Sequence, residues 1–159
     1  MRVFWNKIIN AHAEIQTFNP IQLAKQFNLT IVYLPTFILK SSDGITNLEK
    51  KMIFLKDTLL ENKKMFILAH EITHALNDSD CFHPNIEHIC EKQADKGAVK
   101  LLVHFYFEIF SKENFDNIYI LMDSMGIPLR LEDEVRKQII LYVNSSYCLQ
   151  NVGYSCGFV

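Results

Sequence analysis

The chain has 159 residues, about the size of one domain and too short for two domains with separate cores. Hydrophobic residues make up 49% of it and charged residues 21%, which excludes an intrinsically disordered chain. The formal net charge of −2 shows no basic excess, so the composition argues against direct binding of nucleic acid.

The longest uncharged stretch, residues 138–159, contains Gln, Asn, Ser and Gly throughout, so it is not predicted to cross a membrane. The first residues carry neither a long apolar segment nor a small-residue cleavage site, and we therefore expect a cytoplasmic protein. In that compartment the four cysteines are expected to be reduced: Cys81, Cys90, Cys148 and Cys156.

The first third of the chain predicts two helices and then a strand. Residues 3–16 can form an amphipathic helix. Asn19 followed by Pro20 is typical of a helix start, with Asn19 as the N-cap of a short helix that ends near Phe27. The β-branched and aromatic run 29–34 predicts a strand.

The next segment predicts further strands around a turn. Residues 37–40 and 45–48 flank the sequence Ser-Ser-Asp-Gly, which is typical of a turn, and residues 51–55 continue the strand-like pattern. A small antiparallel sheet is therefore predicted between residues 29 and 56.

The second half has helical periodicity. Thr58 to Glu61 matches a capping box and predicts a helix that runs to Leu76. Three further helices are predicted over residues 87–110, 113–125 and 131–143. We therefore expect one α+β domain over residues 1–143, in which the small sheet packs on the first of these helices. An irregular C-terminal tail is expected over residues 144–159.

The sharpest motif is HExxH, formed by His70, Glu71, Ile72, Thr73 and His74. On a helix its two histidines lie about 40° apart, opposite the apolar stripe. Two imidazoles one turn apart can bind one Zn²⁺, and an adjacent carboxylate can accept a proton from water. We therefore predict His70 and His74 as zinc ligands and Glu71 as the catalytic base.

A hydrolytic zinc site needs a third protein ligand and one open position. Glu91 and Asp95 lie one turn apart on the next predicted helix, on its alanine-lined interior face. Two carboxylates there are costly unless a metal ion and a histidine N–H neutralise them. We assign Glu91 to the metal and Asp95 to the orientation of a ligand histidine.

Two other arrangements compete with Glu91. Asp80 occupies the third-ligand position of a metzincin-like HExxH-x-x-N-x-x-D pattern. A separate cluster of Cys81, His83, His88 and Cys90 is a possible structural zinc site, but its spacings match no common zinc finger. For this cluster we prefer thiols and loop histidines without metal, and we favour Glu91 over Asp80.

Two segments of the sequence resemble the ImmA/IrrE-type zinc metallopeptidases, namely residues 68–76 (LAHEITHAL) and 91–102 (EKQADKGAVKLL). The resemblance extends loosely over residues 20–143. It implies a minimal zincin-like fold in which both HExxH histidines and the Glu of the second segment bind zinc. By position these ligands are His70, His74 and Glu91, and the base is Glu71.

The resemblance also implies a function. Members of this family typically cleave a helix-turn-helix transcriptional repressor, often one encoded on a prophage or another mobile element. We therefore expect a zinc-dependent endopeptidase that acts on a protein partner, without direct contact to nucleic acid or membrane. The alternatives are a non-enzymatic antirepressor with a mainly structural zinc centre and an interaction domain built on the Cys/His cluster.

The sequence departs from the family pattern at two positions. Thr73 stands where glycine is usual before the second histidine, and its bulk is expected at the edge of the metal. Val103 and His104 continue the helix where proline commonly follows the Leu-Leu pair. Both departures predict an altered substrate cleft or weakened catalysis.

Overall fold

The protein is an α+β structure, as predicted, in a computed structural model that describes residues 2–77, 87–111, 115 and 117–151, with side chains up to residue 144. Within these residues a three-stranded sheet is surrounded by helices. The elements in chain order are α1 Arg2–Ile15, α2 Pro20–Gln26, β1 Thr30–Leu34, α3 Thr36–Leu39, β2 Gly44–Asn47, β3 Met52–Lys56, α4 Glu61–Leu76, α5 Glu87–Ile109, α6 Ile118–Ser124, the 3-10 turn Leu129–Leu131 and α7 Glu132–Asn151.

The start of α2 confirms the predicted helix cap. The side chain of Asn19 accepts hydrogen bonds from the backbone N–H groups of Ile21 and Gln22, at 2.9 and 3.4 Å. These are two of the donors that a helix leaves unpaired in its first turn. Pro20 occupies the first helical position, where its missing N–H costs nothing.

The sheet has the strand order β1-β3-β2, with β3 in the centre. Strand β2 pairs antiparallel with β3, but β1 pairs parallel with it, so the prediction of an antiparallel sheet is wrong for this pair. The predicted strand 37–40 is instead the short helix α3, which follows Pro35. This helix forms part of the connection from β1 to β2, so that β3 returns beside β1 in the same direction.

Helix α4, which carries the HExxH motif, packs its apolar face on the sheet. Ile53 and Leu55 of β3 are fully buried, as are Ala69 and Ile72 of α4. The predicted end of this helix at Leu76 is confirmed, but the capping box is wrong. Leu60 precedes the first turn without a side-chain cap, and the Thr58 hydroxyl lies 3.0 Å from that of Thr36.

The C-terminal helices differ from the prediction mainly at their ends. Helix α6 begins at Ile118 rather than at residue 113. Helix α7 continues to Asn151, so residues 144–151 are helical rather than irregular, and residues 152–159 lie outside the described part. None of the helices in the described ranges is long and apolar enough to span a bilayer.

An aromatic cluster on the far side of α5 explains why that helix continues through Val103 and His104. Val103 is fully buried, and the ring of His104 lies 4.6 Å from Trp5 and 4.8 Å from Tyr142, measured between centroids. Burial, together with the positive charge of Lys100, lowers the pKa of His104 to about 3. A neutral histidine therefore joins α1, α5 and α7 away from the HExxH motif.

Helices α4 and α5 approach each other closely at Thr73 and Gly97. Thr73 is fully buried, and its hydroxyl donates to the carbonyl of Ala69 at 2.9 Å. A Cβ atom at Gly97 would lie only 2.4 Å from Thr73 Cγ2. The bulk that was expected at the edge of the metal is therefore packed against Gly97 of α5, and Thr73 does not line the cleft that contains His70 and His74.

We expect Gly97→Ala to lower the free energy of unfolding by about 1–3 kcal/mol, despite the better helix propensity of alanine, because the buried Thr73 side chain cannot move aside. Thr73→Ala removes Cγ2 and Oγ1, the two atoms of Thr73 that lie closest to the added Cβ. In that background the Gly97→Ala substitution should therefore cost much less. Urea unfolding of the four proteins measures this coupling. An equal cost of Gly97→Ala in both backgrounds would contradict the close contact.

Candidate metal centre

The HExxH helix directs both histidines towards one point. His70 and His74 lie one turn apart on α4, and their Nε2 atoms are 3.0 Å from each other. Both imidazoles are largely buried, with side chains 12% and 20% exposed. The predicted pairing of these two side chains is thus present in the structure.

Helix α5 adds the carboxylate of Glu91 to this point. Its Oε2 lies 3.3 Å from His70 Nε2, and its Oε1 lies 3.2 Å from His74 Nε2. Ligands at tetrahedral positions about 2.0–2.1 Å from a zinc ion are separated by about 3.3 Å. The three side chains are therefore spaced as ligands of one metal ion, and within the described ranges they form a group that could hold one.

Asp95 fixes the tautomer of His70. His70 Nδ1 lies 3.1 Å from Asp95 Oδ1, and a carboxylate only accepts hydrogen bonds, so Nδ1 carries the proton. The Nε2 atom of neutral His70 then presents a lone pair to the point that it shares with Glu91. A lone pair of His70 Nε2 and the carboxylate of Glu91 therefore point at the same position. Such a pair of acceptors can bind a metal cation.

The charges around the histidines shift their pKa values in opposite directions. Burial by itself would lower the pKa of His70, but the hydrogen bond to Asp95 and the charges of Glu71 and Glu91 raise it overall. The pKa of His74 is lowered by burial and by the charge of His70. Burial would raise the pKa of Asp95, but hydrogen bonds from His70 and Arg130 hold it below its usual range.

Glu71 lies beside the three converging side chains and is held by a contact with the sheet. It is only 6% exposed, and its Oε2 accepts a hydrogen bond of 2.7 Å from the Thr46 hydroxyl on β2. Burial raises the pKa of Glu71, and the hydrogen bond from Thr46 opposes this shift. Thr46 thus holds the carboxyl group that the sequence predicts as the base.

Gly44, the first residue of β2, leaves room for the other oxygen of Glu71. A Cβ atom at this position would lie 2.9 Å from Glu71 Oε1 and 2.6 Å from Ile67 Cγ2. Any side chain at position 44 would therefore collide with the side chain of Glu71 or of Ile67. The requirement for glycine comes from this close approach between strand and helix.

A cleft of about 750 Å³ opens over these side chains. Strand β2 and the residues before it form one wall, α4 forms the floor, and α5 forms the other wall. The lining includes both charged groups and exposed apolar ones. Its principal members are Asp43, Gly44, Ile45, Thr46, Leu48, Phe66, His70, Glu71, His74, Glu87, Glu91, Asp95 and Arg130.

Sequence reasoning missed three residues of this site, namely Gly44, Thr46 and Arg130. Thr46 lies in a predicted strand and Gly44 in the turn predicted before it, but the sequence gives no register that places either residue against Glu71. Arg130 reaches Asp95 from the turn before α7, which no local pattern indicates. A motif describes residues that are close in sequence, whereas these contacts join residues far apart in the chain.

Several competing predictions fall outside the described residues. Asp80, Cys81, His83 and Cys156 lie there, as does the side chain of Cys148, so the Asp80 arrangement stays a prediction. Cys90 is 5% exposed and disulfide-bonded, which corrects the expectation that it is reduced. A disulfide sulfur is not a thiolate ligand, so the structural zinc site that would use Cys90 is not formed in this state.

The model of the IrrE N-terminal-like domain, a peptidase family, matches residues 24–106. The chain belongs to this family. The matched segment contains the HExxH histidines and Glu71 on α4, Glu91 and Asp95 on α5, and Gly44 and Thr46 on β2. The matched segment ends at residue 106 and so does not include Arg130. No curated protein and no solved structure matches the chain.

If Glu91 is the third ligand, Glu91→Ala should weaken zinc binding by more than about 100-fold, because it leaves only two histidines. Asp95→Ala should weaken it by about 10- to 100-fold, since Asp95 acts through His70. Asp80→Ala should have little effect. A competition titration against a zinc chelator measures all three.

Glu87→Ala is the matched control, because Glu87 lies one turn before Glu91 on α5 and also lines the cleft. It should bind zinc like the unaltered protein. Loss of zinc in Asp80→Ala with retention in Glu91→Ala would contradict the ligand assignment.

Proposed function

We propose that the protein is a zinc-dependent endopeptidase that hydrolyses a peptide bond in a protein partner. Membership of a peptidase family supports hydrolysis of peptide bonds in general. The observation that carries the proposal is the buried carboxyl group of Glu71, held by Thr46 beside three side chains that could hold a metal ion. In this proposal His70, His74 and Glu91 are the zinc ligands.

The chemistry divides between the metal and Glu71. Zinc, when bound, would polarise the scissile carbonyl and make water acidic enough to lose a proton near neutral pH. Glu71 accepts that proton and then donates it to the nitrogen of the leaving amine. The hydrogen bond from Thr46 to Oε2 fixes the orientation of this carboxyl group. Asp95 keeps His70 in the tautomer that presents Nε2 to the metal.

The wall of the cleft supports an extended peptide as substrate. Strand β2 is at the edge of the sheet, and on the side away from β3 its backbone pairs with no other strand among the described residues. A free strand edge can pair with an extended peptide through main-chain hydrogen bonds. Ile45 and Leu48, which are 45% and 43% exposed, add apolar surface for substrate side chains.

As the specific substrate we propose a helix-turn-helix repressor of a prophage or another mobile element, in the cytoplasm. The support is the activity typical of the metallopeptidases that the sequence resembles. The net charge of −2 agrees with a protein partner rather than with nucleic acid. A flexible segment of the repressor would supply the extended chain that the edge of β2 can accept.

Glu71→Gln should retain zinc and fold but lower proteolysis by several orders of magnitude, because the nearly isosteric amide cannot accept the proton from water. The measurement is mass spectrometry of new N-termini in a whole-cell protein extract incubated with each zinc-loaded protein. Glu61→Gln, at the exposed start of the same helix, is the control and should cleave like the unaltered protein.

Equal numbers of new N-termini with the unaltered protein and Glu71→Gln would contradict the enzyme assignment. If regulation of the repressor persisted in Glu71→Gln without any cleavage, the protein would act instead as the non-enzymatic antirepressor.

A further inference from the structure

Arg130 connects the C-terminal helices to the candidate metal centre. Its Nη1 donates to Asp95 Oδ2, and its Nη2 donates to Asp95 Oδ1 at 3.2 Å. The same Oδ1 accepts from His70 Nδ1 at 3.1 Å. A continuous chain of hydrogen bonds therefore runs from Arg130 through Asp95 to the imidazole of His70.

The surroundings of Asp95 explain why it needs this arginine. Its side chain is only 11% exposed, and the negatively charged Glu71 and Glu91 line the same cleft. The N–H of His70 satisfies one of the several acceptor positions on a carboxylate. The paired donors and positive charge of a guanidinium satisfy two more and offset the burial of the charge. Arg130 is thus positioned to hold Asp95 in the orientation that contacts His70.

The position of Arg130 is fixed by the turn that precedes it. Gly126 has a φ of +65°, and a Cβ atom there would lie 2.3 Å from the carbonyl oxygen of Asn62. The Asn62 side chain donates to the carbonyl of Asp123 at 2.9 Å, and Ile127 is buried. The turn is thereby packed on the first residues of α4, the helix that also carries both histidines.

On these observations we propose that Arg130 is a positioning residue of the metal centre, which holds Asp95 so that His70 presents Nε2 to the metal. The inference rests on the proposed function, because it requires that a metal binds at His70, His74 and Glu91. It also means that residues 24–106, which match the family, do not contain the whole site. The turn before α7 supplies the missing part.

The test is zinc affinity, measured by chelator competition on the whole chain. Arg130→Gln should weaken zinc binding about 10-fold or more, as the loss of a partner behind a metal ligand does. Arg130→Lys keeps the charge without the paired donors and should give an intermediate loss. In the Asp95→Ala background, Arg130→Gln should cause almost no further loss, because both act through the same carboxylate.

Arg136→Gln is the matched control. Arg136 is a similarly exposed arginine that pairs with Glu132 on α7, away from the cleft. Arg136→Gln should leave zinc affinity unchanged. This result would show that the effect of Arg130→Gln comes from the lost contact with Asp95 and not from the loss of one positive charge. Urea unfolding without metal checks that each variant folds.

A second readout is the exchange rate of the His70 Nδ1–H proton with water, measured by ¹⁵N-edited NMR of the zinc-loaded protein. An arginine that only stabilised the fold would not change this rate. The Nδ1–H proton of His70 should exchange slowly with water in the unaltered protein and in Arg136→Gln, and faster in Arg130→Gln. Unchanged zinc affinity in a folded Arg130→Gln would overturn the inference, as would an equal loss in Arg136→Gln. An unaltered protein without zinc affinity would instead overturn the proposed function itself.

Discussion

The close packing of α4 against α5 is the interaction on which the site depends. The helices run antiparallel, so that His70 faces Asp95 and His74 faces Glu91. The contact of Thr73 with Gly97 lets the two backbones approach, because any larger residue at 97 would meet a fully buried side chain. Only at this distance can a carboxylate from one helix join two imidazoles from the other.

This packing also concentrates negative charge in one cleft, where Glu71 and Asp95 are buried and the side chain of Glu91 is 56% exposed. Glu71, Glu91 and Asp95 all line one cleft, and each has a different means of compensation. Thr46 donates to Glu71, Arg130 pairs with Asp95, and Glu91 contacts the two histidines. A divalent cation would offset much of the remaining charge, so metal binding and the stability of this region are expected to be linked.

The sequence predicted those parts of the site that lie within one element. His70, Glu71 and His74 belong to one motif on α4, and the spacing of alanines around Asp95 on α5 correctly indicates a buried face. These are consequences of helical periodicity, which is a local property. The same reasoning placed the ends of α4 and α5 within one or two residues. The prediction that Glu91 lies on the same interior face is wrong, because its side chain is 56% exposed at the end of α5 that borders the cleft.

The parts that were not predicted depend on contacts between distant residues. The parallel pairing of β1 with β3 follows from the path of the chain through α3, which the strand-like residues 37–40 do not reveal. Likewise, the contacts of Thr46 with Glu71 and of Arg130 with Asp95 require the register of the sheet and the position of a turn. Neither is encoded in a motif.

The most direct test of the account is a crystal structure of the zinc-loaded protein with anomalous diffraction recorded on both sides of the zinc absorption edge. The account predicts one zinc peak per chain, at about 2.0–2.2 Å from His70 Nε2, His74 Nε2 and a Glu91 oxygen. A zinc peak held by Asp80 or by the cysteine and histidine cluster, with Glu91 away from the metal, would contradict it.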